Sequence, residues 1–466
     1  MSRPHVIVIG GGLAGLSAAL RSVDEGLEVT LVEARRRLGG ATWSLERGGL
    51  HIDNGQHVFL RCCTAYRELI DRLRVADRTT LQERLDVAVI SPDGRAARLR
   101  SVGLPAPLHL AASVLRFSYL RPLERLRAAT AARELAALDL RDPALDEQDF
   151  ASWLRARGQS PMAIRAFWDL LVVATLNTTS EGASLALATK VFQTGLFNGA
   201  SSADIGWSRV PLQQLHADPA ERELGRLGAR ILGGKRVLAI DAAGTTGTAR
   251  TARTRRGPMI VRLEDGTLTG DAVIVAAPHG DAARMLPADA GVEGASLAAL
   301  GSSAIVNLHI VLDRTVMNAP FVAAVDTPLQ WVFDRTESSG LGRGQLLAVS
   351  LSAADDLLGL SSEELRERFV PELARLFPAV RDAEVRDFFV TREPRATFRQ
   401  APGTRRHRPG TRTRRRGLYL AGAWTDTGWP ATMEGAVRSG FAAAAAALED
   451  TRADAGRSAA RAAAAA

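Results

Sequence analysis

The apolar pattern changes period twice within the first forty residues. His5–Ile9 (HVIVI) is an unbroken, largely β-branched run and predicts a buried strand. Residues 13–23 then carry apolar side chains at helical spacing, and Gly26 ends that helix. Residues 28–32 return to a strand pattern that finishes on Glu33. This is a β-α-β unit at the start of the chain.

The rest of the chain predicts more elements of both kinds. Residues 42–50 read as strand with a turn at Gly48–Gly49, and 51–57 (HIDNGQH) as a loop rich in turn formers. The stretch 69–100 predicts a helix and two short strands around Pro92–Asp93–Gly94. Helices dominate 104–197, broken at Pro105, Pro107, Pro122 and Asn177–Thr179. Strands return at 229–231, 236–240, Met259–Leu263 and 272–276. Ser303–Leu312 alternates and predicts a half-buried strand, with further strands at 328–333 and 346–352. An amphipathic helix over 361–377 opens with Ser361 and Glu364 at capping-box spacing. A last strand, 418–421, precedes a helix ending near Leu448, and from Glu449 the Ala/Arg/Asp composition predicts a disordered tail.

The first unit carries chemistry. Gly10, Gly12 and Gly15 stand at GxGxxG spacing between strand and helix. The first allows the tight turn, the second lets backbone approach a pyrophosphate, and the third lets helix and strand pack closely. Phosphate then meets the unpaired N–H groups of a helix N-terminus. Glu33, about twenty residues on, is placed to accept ribose hydroxyls. A glycine-rich turn without ligand would not need the strand, the helix and the acid together.

Size and charge narrow the class. The 466 residues, 46% apolar, suffice for two domains. No apolar run is long enough to span a bilayer, and the chain enters its first strand at once, so a cytoplasmic protein is expected. Cys62 and Cys63, the two cysteines, are adjacent, which is neither a disulfide framework nor a metal spacing; no metal is expected, and the pair reads as small apolar residues at a helix start. The net charge of +8 is carried by arginine, with lysine at 190 and 235 alone. Basic residues do not interleave with aromatics, so nucleic acid is not expected. Residues 405–416 (RRHRPGTRTRRR), with Arg250 to Arg256, suggest attraction to an anionic membrane surface at the inner face of the plasma membrane; a general bias toward arginine is the alternative.

Beyond Glu33 the run of three arginines ends in Leu38–Gly39–Gly40, which resembles the second glycine pair of flavin-dependent amine oxidases and carotenoid desaturases. The stretches DNGQHVFLRCCTAYRELI, ATLNTTSEGAS and TGWPATMEGAVRSG resemble, more narrowly, the bacterial hydroxysqualene dehydroxylases. The resemblance covers most of the chain. It implies an α/β fold: a Rossmann-like FAD-binding domain built from residues 1–75, 210–300 and 401–448, and an inserted second domain of mixed sheet plus helices, 76–209 and 301–400. It implies FAD contacts at Gly10, Gly12, Leu13, Ala14, Gly15, Glu33, Ala34, Arg35, Gly39, Gly40, Gly55, Gln56, Val237, Gly422, Asp426, Thr432 and Met433. The chain departs from the family at Ala41, where many members have arginine, and at Ala423, where the family usually has an acid.

The activity implied is reductive removal of the hydroxyl of hydroxysqualene to give squalene, on a route toward hopanoids or related triterpenes, with a hydroxysqualene-forming synthase as pathway neighbour. Asp53, His57, Asp426 and Glu434 are candidates for the acid that protonates the leaving hydroxyl, and each is equally a turn former or helix cap. Phe167, Trp168, Phe192, Phe197 and Trp331 are candidates for the wall around a long isoprenoid, or ordinary core. A carotenoid desaturase shares fold and cofactor. An amine oxidase commonly needs a lysine on the strand matching Ser303–Leu312, which has none. A flavin-bearing prenyl-lipid carrier without turnover is a third alternative.

Overall fold

The computed structural model describes residues 3–242 and 258–465. Strand β1 (His5–Ile9), helix α1 (Leu13–Asp24) and strand β2 (Glu28–Glu33) form the predicted unit. Around it runs a five-stranded, wholly parallel sheet in the order 230–233, β2, β1, 272–275, 418–420. Both faces are covered, so β1 is buried along nearly its whole length, the usual state of a parallel sheet. A three-stranded antiparallel sheet, 237–242, 259–263 and 266–270, lies beside it.

Hairpin strands β3 (Ser44–Arg47) and β4 (Leu50–Asp53) follow, turning at Gly48 and Gly49. The expected loop 51–57 is therefore shorter: His51 to Asp53 pair with β3, and the loop proper is Asn54–His57. Helix α2 (Thr64–Arg72) starts just after the cysteines, with Cys63 as its N-cap; both thiols are free and half-buried.

A seven-stranded sheet forms the second body, in the order 385–397, 303–312, 345–352, 331–334, 321–324, 86–90, 96–100. The pattern did not reveal the thirteen-residue strand Val385–Thr397. Ser303–Leu312 is buried on both faces rather than half-buried. Val306, Leu308, Ile310 and Leu312 pack toward helix Ser362–Leu376, while Val311 meets Ile52 of β4 and Asn307 bonds the Asn54 carbonyl. The capping box at Ser361 and Glu364 is formed in both directions.

Helices cover this sheet: α3 (Ala111–Leu115), α4 (Pro122–Ala136) and those carrying residues 150–197. Asn177 bolts them down. It adopts a left-handed conformation at a helix end, donates to the Ser303 carbonyl and Thr397 hydroxyl, and accepts from the Ala353 amide. Asparagine tolerates that conformation better than most residues.

The last helix, Met433–Ala465, does not stop at Leu448 and replaces the disordered tail expected from Glu449. Arg412 pairs with Glu449 and Asp450, the Tyr419 hydroxyl donates to Asp450, and Thr451 is buried. An alanine-rich stretch needs no apolar face to be helical, because alanine has the highest helix propensity.

Candidate flavin site and its surroundings

The glycines do the steric work their spacing predicts. A Cβ on Gly15 would sit 1.8 Å from the Gly10 carbonyl oxygen, and one on Gly10, whose φ is +106°, 2.6 Å from that of Ala276. Gly12 differs: a Cβ there meets nothing nearer than the Gly40 Cα at 3.6 Å, so the space above it is open. The second glycine pair lies against the first, since a Cβ on Gly40 would come within 2.7 Å of the Gly12 Cα, and Gly39 donates to the Gly11 carbonyl at 2.8 Å. Helix α1 has no capping side chain and no acid in its first turn. Its first amides, from Leu13, Ala14 and Gly15, thus form a positive end without a protein anion, as a pyrophosphate site requires.

Glu33 closes the cradle. Its carboxylate accepts from the Gly11 amide at 2.7 Å and the Arg35 amide at 2.8 Å, while Ala34 and Arg35 are exposed at the rim. Lys235 donates its amide to the Glu33 backbone carbonyl, which ties the start of the Val237–Ala242 strand to the end of β2.

Three buried polar atoms have no partner here: Arg37 Nη1, Gln56 Nε2 and Gln213 Oε1. Arg37 stacks over Trp43 with its Cζ 4.0 Å from the ring centroid, and burial lowers its pKa. A buried guanidinium nitrogen without an acceptor fits an anionic cofactor, and it stands four residues before Ala41, where the family arginine is missing. Sequence reading passed over Arg37 because it is one of three successive arginines.

Gly422 has φ +139°, and its amide donates to Ser439 Oγ. Thr432 Oγ1 accepts from the Gly435 amide, and Met433 begins the last helix. That helix crosses α1 at Gly440, where a Cβ would lie 2.2 Å from the Ala14 carbonyl oxygen. Arg408, inside the basic loop, is buried rather than surface charge. Its Nη2 donates to the carbonyls of Ala423, Thr425 and Trp429, and burial pushes its pKa down to about 10. It shapes the segment that includes Ala423. Gln400 links the two bodies, accepting from the Ala431 amide, donating to the Leu176 carbonyl and receiving the Ser184 amide on its own carbonyl.

The four candidate acids fare differently. The Asp53 carboxylate is buried, with Oδ2 2.7 Å from Arg335 and Oδ1 accepting from Ser44 Oγ and the Leu212 amide. Glu434 is buried and caps α2, accepting from the Ala65 and Tyr66 amides and from Arg438 Nε at 2.6 Å. Asp426, also a candidate FAD contact, is exposed; it accepts from the Gly428 amide and faces Arg405 at 3.9 Å. These are structural duties. His57 shares a narrow cavity with Gln56, Trp207 and Phe333. Burial lowers the pKa of its imidazole, which leaves a neutral ring at pH 7. Gly55 packs next to it, with Asn307 behind. Asn307 is thus a residue that strand Ser303–Leu312 turns toward this loop, and the strand carries no lysine.

The lipid-wall candidates also divide. Trp168 and Phe192 are fully buried core, and the Trp168 indole donates to Gln159. Phe167, Phe197 and Trp331 are half-buried at the edge of the same aromatic cluster. One group was missed. Lys190, on helix Leu185–Phe192, places its Nζ 5.1 Å from the Trp429 ring centroid, and the Arg438 Cζ lies 4.9 Å from that same ring. Among the described residues the Lys190 ammonium has no hydrogen-bond partner. Burial, and then the charge of Arg438, lower its pKa. Among the described residues no cluster of His, Cys, Asp or Glu is arranged to hold a metal ion.

The family model for flavin containing amine oxidoreductases matches residues 13–448, from the first turn of α1 into the last helix. The chain belongs to that family. It is an FAD-dependent oxidoreductase with a Rossmann-like cofactor domain and an amine oxidase-like fold. Hydroxysqualene dehydroxylase of Rhodopseudomonas palustris is 30% identical over 450 residues, covering 94% of this chain and 97% of its own. Zeta-carotene desaturase of a Synechocystis species is 26% identical over 485 residues, covering 95% and 97%. Cyclohexylamine oxidase of Brevibacterium oxydans superposes with a TM-score of 0.71 at 20% identity, covering 97% of this chain and 100% of that one, a likeness of fold. The cradle described above fits FAD on its open Gly12, its uncapped α1 N-terminus and its unpartnered Arg37.

Proposed function

We propose that this enzyme reductively dehydroxylates a long allylic isoprenoid alcohol, hydroxysqualene, to squalene. The observation that carries the reading is the likeness to a hydroxysqualene dehydroxylase along 94% of the chain. The site agrees with it. Lys190 and Arg438 beside Trp429 would repel a protonated amine, and strand Ser303–Leu312 lacks the lysine common in amine oxidases. Half-buried Phe167, Phe197 and Trp331 offer an apolar wall.

Bound and reduced, FAD supplies hydride to the allylic carbon. The protein's own task is to bring a proton to the departing hydroxyl, so that water leaves, and to keep bulk water away from the allylic carbon. We assign the proton to the Lys190 ammonium, which has no hydrogen-bond partner among the described residues and whose pKa burial and then Arg438 lower. Neutral His57 and the engaged Asp53 and Glu434 are poorer donors.

The test is anaerobic. The bound flavin is reduced chemically, hydroxysqualene is added, and absorbance and lipids are followed together. Squalene is expected in one-to-one ratio with reoxidised flavin. No reoxidation by hydroxysqualene, with flavin reduction by a carotenoid precursor, would move the chain to the desaturases, a class to which it is also similar.

A further inference from the structure

Among the described residues eight large apolar side chains are exposed, and six of them lie between positions 102 and 126: Val102, Leu104, Leu108, Leu115, Leu123 and Leu126. Single exposed leucines are ordinary, but a concentration of this kind marks an interaction surface. The backbone gathers them. The Val102 amide donates to the His109 carbonyl, closing the 102–109 loop. Arg125 reaches from α4 to the carbonyls of Leu115, Phe117 and Leu120, which holds the end of α3 against the first turns of α4. Leu115, the most exposed residue of α3 at 64%, thus ends a helix held against α4, which carries Leu126, also 64% exposed. Leu123 and Leu126 are one turn apart on α4, on the side away from buried Ala128, Ala131 and Leu135.

The charge around the leucines is of one sign. Residues 102–133 contain five arginines and one acid, Glu124. Glu124 is occupied by the Arg121 amide and the Ser160 hydroxyl. Arg116, Arg121, Arg127 and Arg133 are exposed and make no ion pair among the described residues. The loop 405–416 is the opposite case: Arg412 and Arg415 are paired with carboxylates, and Arg408 is buried. Residues 250–256 lie outside the described residues.

We propose that the surface formed by residues 102–126, rimmed by Arg116, Arg121, Arg127 and Arg133, seats this enzyme on an anionic phospholipid bilayer. Leucines enter the acyl boundary while the arginines meet the headgroup phosphates, the arrangement of an interfacial, non-spanning protein. Beneath the patch, buried Phe117 contacts Phe167 with ring centroids 5.4 Å apart, so the apolar surface continues inward to the aromatic cluster. That continuity puts the docking surface on the same body as the proposed lipid wall; this last point rests on the proposed function, whereas the docking itself does not.

The experiment is flotation of the flavin-loaded protein with phosphatidylcholine vesicles, with or without one quarter phosphatidylglycerol, in the absence of any substrate. The wild type is expected to float with the anionic vesicles. Leu123→Ser/Leu126→Ser, at exposed positions that leave folding and flavin content intact, is expected to lower binding more than tenfold. Arg116→Gln/Arg127→Gln is expected to weaken both the binding and its salt dependence. Wild-type protein that fails to float, or a leucine variant that floats as well as wild type, overturns the proposal. So does a wild-type dimer that the leucine variant converts to monomer, because the patch would then be covered by a second copy. None of these results depends on turnover.

Discussion

Acid should loosen this enzyme through two buried histidines. His216 and His309 are 0% and 1% exposed, and burial pushes both pKa values down to about 3. Each ring is held neutral: His216 Nε2 lies 2.7 Å from the Tyr66 hydroxyl, and His309 Nε2 lies 3.0 Å from Thr391 Oγ1 with its ring stacked on Phe389. In the unfolded chain a histidine takes up its proton near pH 6.5. The unfolded state therefore binds more protons between about pH 6.5 and 3, and stability falls as pH drops through that window. At pH 5 the loss is RT ln(1 + 10^1.5), about 2 kcal/mol for each ring and about 4 kcal/mol for the pair, out of a typical total of about 5–15 kcal/mol. The perturbation is His309→Phe, which keeps the stack on Phe389 and gives up one hydrogen bond, about 1 kcal/mol at neutral pH. Urea unfolding followed by tryptophan fluorescence at pH 7.5 and 5 should show the variant losing about 2 kcal/mol less than wild type over that interval. Equal losses would refute the assignment. The consequence reaches the cofactor, because Thr391 and Asn307 both donate to the Asn54 carbonyl at the loop beside the flavin site. Release of FAD should therefore precede global unfolding as pH falls, visible as free-flavin fluorescence.

Three further outcomes are expected. Gly12→Val should fold, since the space at that Cβ is open, yet purify without flavin colour; a full flavin complement would show that the pyrophosphate lies elsewhere. Glu434→Gln should cost about 3 kcal/mol through the weakened cap on α2 and the lost Arg438 pair, measured by urea midpoint, with single-turnover rates of the remaining holoenzyme unchanged. Lys190→Met should lower the single-turnover rate about 10²–10⁴-fold. Wild-type activity should also decline as pH rises through the lowered pKa of Lys190, because the donor is the protonated form, and the variant should lack that limb.

Much of the cofactor domain was legible along the chain because its instructions are local. Periods of 2 and 3.6, three glycines at fixed offsets and a carboxylate at the end of β2 act over some thirty residues, and each has one steric or electrostatic use. Ser361 with Glu364 is of the same kind. The wall and the acids were not legible, because their meaning depends on distant partners. Glu434 serves amides 368 positions away, and Asp53 meets Arg335 across 282. Trp168 and Phe167 are neighbours in sequence, but packing buries one and leaves the other at the edge. Arg408 and Arg412 sit in one basic run; the fold desolvates the first against carbonyls and pairs the second with a helix that composition had marked as a tail. Sequence alone pointed to a dinucleotide-binding unit at the N-terminus of α1. Only tertiary structure decided which charges are neutralised and which apolar residues stay uncovered, because neutralisation and burial are properties of the surfaces that meet.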